Sequence, residues 1–426
     1  MMGALWVLTF FLGVTSDVMS GAIRYYTSLA GAPQAIYLPK LMMAICIVLI
    51  VLKRPRISHL LVLMFFGMQV CVSLFNGVTL NAAIFWAWMM LPMFFTMLAP
   101  PEALAILERP GARITVVIIA IVCIAGVLVN YFGYFNPLPW IGANTMVDGT
   151  PVHVANSNYV GEAPRLPGFG RDSAATGLMI GLLATWLLPR FRSFSLVSMM
   201  LAVAGLSIWA TTNKTSLVAL VIVLAVDRFC RLDTIRKGVI WAAAATLLVP
   251  LAAFAIAAAV NDSMFDGGAL SSFQDRFDRT WPLLLQGMLR ENLIWFGIGP
   301  GGFGAATDYY RNNFGFNIGY ADNIALYAIA NFGVIGLIIF ATLLSRILFS
   351  SGSTDRVAWT MMMFLLISGI TTDIFESLGC LLFFGLAAKT LWLNVGAQRF
   401  YMHPGFVLPV RHRRSTFYDQ DTKKMI

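Results

Sequence analysis

The constraint that decides what this chain can fold into is a series of long apolar runs, each bounded by charge, Pro or Gly clusters. Twelve such cores are readable: Leu5–Val14, Ile36–Leu52, Leu60–Phe75, Ala82–Leu98, Ile114–Phe132, Ala174–Leu188, Leu196–Ala210, Ser216–Phe229, Val239–Val260, Ile324–Leu344, Val357–Ile370 and Leu378–Leu393. Runs near ~20 residues fit the hydrocarbon core of a bilayer. The shorter ones must extend into flanking residues. With 59% hydrophobic and 12% charged residues, the 426-residue chain has too little polar surface to coat a soluble ball. The runs are apolar all round and do not alternate, which excludes an outer-membrane barrel. Backbone groups in lipid must then pair within helices. The expected fold is an all-α polytopic membrane protein with about 12 transmembrane helices. A single domain over residues 1–398 is followed by a basic cytoplasmic tail at 399–426.

Charge orients the spans. Most of the 29 Lys and Arg residues fall on one set of alternating connections, including Lys53, Arg54 and Arg56, Arg109 and Arg113, Arg190 and Arg192, and the C-terminal tail. The positive-inside rule places this set, and both termini, in the cytoplasm. The net charge of +9 is thus a topology signal; its spread over short loops argues against nucleic-acid binding. The five cysteines show no paired spacing and are expected to be free thiols.

Two connections are long, and both lie outside: residues 133–172 and 261–322. Loops of that length carry function or disorder, and the aromatics here, with an amphipathic stretch at Phe273–Ile294, favour order. Ser271–Arg290 reads as an interfacial helix. Chemistry is expected on this extracytoplasmic face.

The polar residues of these loops each carry two readings. Arg165 and Arg171 bracket Leu-Pro-Gly-Phe-Gly before a helix start; Asp172 suits an N-cap, while two guanidinium groups suit a phosphate. Lys214, in Thr211-Thr-Asn-Lys-Thr-Ser216, is a snorkelling lysine or a cation facing the same anion. Arg276 and Arg279 share a helix face at i, i+3, as surface ion pairs with Asp275 and Asp278 or as a basic face over a cavity. Gly297–Gly304 holds five glycines in eight residues but lacks the Lys and Ser/Thr of a P-loop; a tight elbow allowing close backbone approach to a lipid or glycan is the better reading. Asp322-Asn323 opens a span as a cap, or places a carboxylate at a cavity mouth as a general base. Asp373 and Glu376 line the same cavity or mark the last outer turn.

In order, these features resemble the O-antigen ligase and Wzy-type polysaccharide polymerase superfamily, most closely its bacterial exopolysaccharide polymerases. The resemblance runs from about Arg165 to Gly336, a third of the chain. It rests on Arg165-Leu-Pro-Gly-Phe-Gly before a span, Thr-Thr-Asn-Lys-Thr-Ser at the next outer turn, an Arg-bearing outer helix, a glycine run ending Gly-Phe-Gly, and Asp322-Asn323-x-x-Leu326-x6-Gly333-x-x-Gly336. Lys214 stands where Arg is common, and Asp322 where the family usually has His; the Asp departure puts the usual histidine role in doubt and favours polymerases over ligases.

The resemblance implies a GT-C-like glycosyltransferase of the bacterial inner membrane. It would transfer a growing glycan from polyprenyl diphosphate to the acceptor sugar of a second lipid-linked repeat unit. The leaving group is already activated, so inversion without metal, nucleotide or other cofactor is expected. Asp322, Arg165 and Arg279 are the expected catalytic residues. Arg171, Lys214, Arg276, Asn323 and Arg311 are the expected substrate contacts. Besides the lipid-linked donor and acceptor and membrane lipid, a flippase and chain-length or export proteins are the expected partners. The alternatives are an O-antigen ligase-type transferase, a lipid-linked sugar flippase or transporter, and a non-catalytic scaffold.

Overall fold

The computed structural model describes residues 2–53, 55, 57–134, 139–140, 159–160, 163–191, 193–259, 271–310, 314, 319–350 and 353–401. These are almost entirely helical: α1 (Met2–Val18), α2 (Ser20–Leu29), α3 (Leu38–Lys53), α4 (Ile57–Phe75), α5 (Leu80–Met97), α6 (Pro101–Leu107), α7 (Pro110–Tyr131), α8 (Ser173–Leu187), α9 (Phe194–Ala210), α10 (Lys214–Phe229), α11 (Leu232–Ala259), α12 (Ser271–Gln274), α13 (Trp281–Arg290), α14 (Ile324–Ser350), α15 (Arg356–Ser368) and α16 (Leu378–Tyr401). One antiparallel pair of two-residue strands joins Tyr159–Val160 to Ala163–Pro164. All twelve apolar cores fall on helices.

Six helical segments are long and apolar enough to cross a membrane: Pro33–Lys53, Ile57–Phe75, Leu80–Met97, Pro110–Tyr131, Leu232–Ala257 and Ile324–Phe349. The bent pair α1–α2, folded by 88° around Met19, makes a seventh. Length and composition thus account for six or seven of the expected dozen spans. The other cores form shorter helices, and several of these sit in the interior. Every residue of α8 except Ala174 and Ala175 is buried, and α15 is buried from Ala358 to Leu366. The chain is a multi-pass membrane protein. Its outer helices present apolar side chains to their surroundings, with Leu63 and Met64 of α4 more than half exposed, a pattern that suits lipid and not water.

The core is built by small residues facing large ones. A Cβ on Gly181 of α8 would lie 2.2 Å from Phe364 of α15, and one on Gly385 of α16 would lie 2.2 Å from Thr96 of α5. Without a hydrophobic drive between helices in lipid, such close packing supplies the association energy. Trp6 stacks on Phe95 at 4.7 Å and donates its indole N–H to the Phe95 carbonyl at 3.1 Å. Phe10, Trp186 and Phe383 meet edge to face, tying α1, α8 and α16 together.

Several connections that the charge pattern assigns to the cytoplasm touch one another. At the end assigned to the cytoplasm, Arg190 pairs with Glu108 at 2.8 Å, Arg356 with Asp227 at 2.6 Å, and Arg236 donates to the Ser353 carbonyl at 2.6 Å. The five cysteines are unpaired, as expected.

The long α14 is broken at Gly333, whose φ of 69° and ψ of −173° leave the helical region. The break frees backbone groups below the mouth of a span, where lipid offers no partner. A strap formed by residues 294–304 supplies them. Ile298 and Gly299 donate to the carbonyls of Ala330 and Asn331 at 2.7 and 3.1 Å; Val334 and Ile335 donate to those of Ile294 and Trp295 at 2.8 and 3.2 Å. Gly333→Ala would set a Cβ 2.2 Å from the Trp295 carbonyl oxygen at a left-handed φ. The expected cost is about 1–3 kcal/mol or more, read as a lowered melting temperature in detergent. Gly67→Ala in α4, which meets no atom within 4 Å, should leave that temperature unchanged or slightly raised.

Candidate active site at the outer face

The strap places its glycines against four different elements. All residues from Gly297 to Gly304 are buried. Gly297 abuts the α14 break, Gly299 the backbone of Ser73 in α4, Gly301 the backbone of Ala82 in α5, and Gly304 the carboxylate of Glu376. Ser73 and Asn76 bind the strap carbonyls of Pro300, Gly297 and Ile298, each at 3.1 Å. The close approach expected of this glycine run is therefore to the protein's own helices, and not to a lipid or glycan.

Ser271–Arg290 is helical throughout, as expected, but Asp275–Thr280 is a π-turn between α12 and α13. In that wider turn, residues three apart no longer stack, so the expected common face of Arg276 and Arg279 is lost. Arg276 turns inward. Its Nε and Nη2 reach the same oxygen, Oδ2 of Asp322, at 2.9 and 2.8 Å, and its Nη1 binds Ser272. Arg279 stays exposed.

The mouth of α14 is tied on every side. Asp322 adopts a φ of 50°, one of three non-glycine residues with positive φ among the described residues. Before it, the Ala321 carbonyl accepts from the fully buried Trp281 indole at 2.6 Å. After it, Asn323 is fully buried; its Nδ2 donates to the Thr246 and Ile370 carbonyls at 2.9 Å each, and its Oδ1 accepts from Leu326 N–H. Both amide protons and the oxygen of Asn323 are thus engaged by the scaffold. It caps α14 and clamps α11 to the last outer hairpin, in place of the substrate contact expected of it.

The Leu166–Gly170 segment wedges between α7 and the α1–α2 elbow. The Phe169 carbonyl accepts from Gly21 and Ala22 at 3.1 Å, and Gly168, at φ 61°, lies against Gly126 and Val127 of α7. Asp172 caps α8 through Ala174 and Ala175 N–H. Arg171 N–H binds Ser20 Oγ at 3.0 Å, and its exposed guanidinium has no hydrogen-bond or ion-pair partner among the described residues. Arg165 is half-buried, and its Nε is sealed off without a partner. Asn213 caps α10 and donates to the Ala174 carbonyl, and Thr215 meets Thr371 of the last outer hairpin at 2.7 Å. Lys214 opens α10 with its side chain exposed. Arg311 lies outside the described residues.

These ties gather a charged group that the motifs did not define. Arg171 acts electrostatically on Asp17 of α1, Arg24 of α2, Lys40 of α3 and Glu376. Asp17 accepts from Gly379 N–H at 3.0 Å. Arg24 lies over Tyr37, and Lys40 over Trp88. Glu376 belongs to the 370–377 hairpin, between α15 and α16. Its Oε1 accepts from Ala305 N–H, and burial pushes its pKa up to about 7, against the pull of that bond and of Arg171. Asp373, fully enclosed nearby, is pushed well above the ordinary carboxylate range by burial first, then by the charges of Glu376 and Asp322. Tyr320, hydrogen-bonded to Asp308, is raised mainly by burial. The visible sequence signal for Arg24 and Lys40 was only their position among the few outside cations.

Two open, mostly apolar grooves of ≈340 and ≈260 Å³ flank Arg190 at the opposite end of the bundle. Neither touches the outer group; the ionisable side chains lining them are Glu108, Arg113, Arg190 and Asp355. Groups of three or more His, Cys, Asp or Glu able to hold a metal are absent among the described residues. No protein-family profile matches the chain, and no curated protein matches its sequence.

The Arg276–Asp322 pair is partly exposed, with side chains 22% and 39% accessible. A double-mutant cycle of Arg276→Gln and Asp322→Asn should give a coupling of about 1 kcal/mol in unfolding stability, shrinking with added salt. Strict additivity would show that the pair does not tie the π-turn to the mouth of α14.

Proposed function

We propose that the protein is a polysaccharide polymerase of the bacterial inner membrane. It moves a growing glycan from polyprenyl diphosphate to the acceptor sugar of another lipid-linked repeat unit, at the outer face. In this reading the bundle crosses the membrane about twelve times in a GT-C-like arrangement, with both termini in the cytoplasm. The observation that carries the proposal is the convergence of Arg24, Lys40 and Arg171 at the α1–α2 elbow, beside the carboxylates of the outer loops.

The chemistry suits these residue types. A hydroxyl of the acceptor sugar attacks the anomeric carbon of the donor, and polyprenyl diphosphate departs with inversion. Negative charge grows on the bridging oxygen, so fixed cations lower the barrier. Arg171, whose guanidinium no described side chain engages, is the strongest candidate for that charge; Arg165, Arg24, Lys40 and Lys214 surround the lipid diphosphate and its glycan. In this reading the polyprenyl chain stays in lipid beside the bent α1–α2 pair while its diphosphate meets the cations. The Arg276–Asp322 pair shapes the mouth of α14, where an acceptor sugar can hydrogen-bond the remaining Asp322 oxygen.

Purified protein given synthetic polyprenyl-diphosphate repeat units should build longer lipid-linked products. Arg171→Ala should cut the rate on the order of 100-fold, and Arg165→Ala should abolish polymer in cells while repeat-unit lipid accumulates. Polymer of normal length and yield in both variants would overturn the assignment.

A further inference from the structure

We infer that Glu376 is the proton acceptor for the attacking hydroxyl, a role in which it replaces Asp322. The inference rests on the polymerase reading above and deepens it.

The geometry separates the two carboxylates. Asp322 receives two guanidinium N–H groups on one oxygen and sits in an ion pair. Both contacts fall on Oδ2, and they commit this carboxylate to holding the π-turn against the mouth of α14. Glu376 has no such partner. One oxygen, Oε1, is fixed by Ala305 N–H. The other takes no donor among the described residues, and it is not sealed off as Asp373 Oδ2 is. Its carboxylate is therefore oriented by one oxygen and available through the other, the arrangement a general base requires.

The strap explains how the carboxylate reaches its place. A Cβ on Gly304 would lie 2.1 Å from Oε1, so only glycine lets the carboxylate close on the backbone beyond. The groups acting on Glu376 come from every element around it. Asp308 approaches from the turn after the strap, Asp322 from the mouth of α14, Asp373 from its own hairpin, and Arg171 from the segment before α8. Tyr320, bound to Asp308, and Tyr327 of α14 complete the surroundings. Burial and the charges of Asp308 and Asp322 favour the protonated form, while Ala305 N–H and Arg171 oppose them. The balance leaves a group able to change protonation near neutral pH.

In the step assigned to it, the acceptor oxygen forms a bond to the anomeric carbon. The bond from that carbon to the phosphate oxygen breaks, and its electron pair leaves with polyprenyl diphosphate. The hydroxyl proton passes to Glu376 Oε2 and later to water.

The test uses the full-length protein in nanodiscs with the synthetic repeat-unit lipid, with initial rates measured across about pH 5–9. The wild type should gain activity as pH rises, with a midpoint near that of Glu376, about 7. Glu376→Gln should lower kcat on the order of 100-fold with little change in KM and lose the pH limb. Glu376→Asp should keep partial activity with a displaced midpoint. Asp322→Asn should keep a pH limb, moved to lower pH by loss of the Asp322 charge, whatever its rate. A wild-type rate that is flat through neutrality overturns the assignment, whether or not the variants fold. So does a folded Glu376→Gln protein, judged by its melting and elution, that stays within about threefold of wild type. A wild type that makes no polymer at all overturns the polymerase reading itself, and this assignment falls with it.

Discussion

The outer half of this protein depends on one requirement: a broken helix inside an apolar bundle must have its backbone groups paired by protein. Gly333 breaks α14, and residues 294–299 answer with hydrogen bonds to both sides of the break. Once that segment is committed to α14, the next residues are carried past Ser73, past Ala82 and up to Glu376, with a glycine at each close approach. The backbone of the strap is thus a rigid link between the middle of a span and the outer charged group. A re-entrant segment of this kind is tolerated at depth only because it is enclosed, and the unbroken burial of Gly297–Gly304 meets that condition.

This arrangement defines what could be read from the chain beforehand. Helix positions were legible because apolar runs have few other options in lipid, and Asp172 was legible as a cap because its role is local. The glycine run was legible as a place of close approach, but not the partner it approaches. Nothing in the chain near 304 points to a carboxylate more than 70 residues away, so Glu376 could be read only as a cavity-lining group or a turn marker, without its partner. The pairing of Arg276 with Asp322 without Arg279 failed for a different reason. Helical spacing was assumed at 3.6 residues per turn, and a π-turn over Asp275–Thr280 changes it. Asp17, Arg24 and Lys40 lie on three separate elements, and only the 88° bend between α1 and α2 brings the first two toward the third.

Asn323 shows why motif residues need not be ligand residues. Its side chain holds the start of α14, the end of the α15 hairpin and the middle of α11 together. Loss of that clamp would displace Asp322, its neighbour in sequence, and the Ile370–Ser377 hairpin that carries Asp373 and Glu376. A residue can therefore recur in a motif beside a reactive group because it sets that group's position. The same logic covers Gly168 and Gly170, whose missing side chains let the segment before Arg171 seat against α7 and α8.

The two ends of the bundle use charge in opposite ways, and the contrast bears on mechanism. At the inner end, Arg190, Arg236 and Arg356 are each closed on a carboxylate or a carbonyl. At the outer end, the Arg171 guanidinium and Glu376 Oε2 are left without described protein partners. The exposed Arg171 guanidinium holds its charge at little cost, whereas the half-buried Glu376 carboxylate with one free oxygen is costly unless a proton or a ligand completes it. A translocating protein would need openings that serve both faces in turn, with ionisable groups along the path between them. Here the interior between the ends is filled by Trp6, Phe10, Trp186, Phe364 and Phe383, and buried hydroxyls such as those of Ser73, Thr96 and Thr185 donate to helix backbone. A filled interior suits the proposed chemistry at one face better than passage of substrates through the bundle.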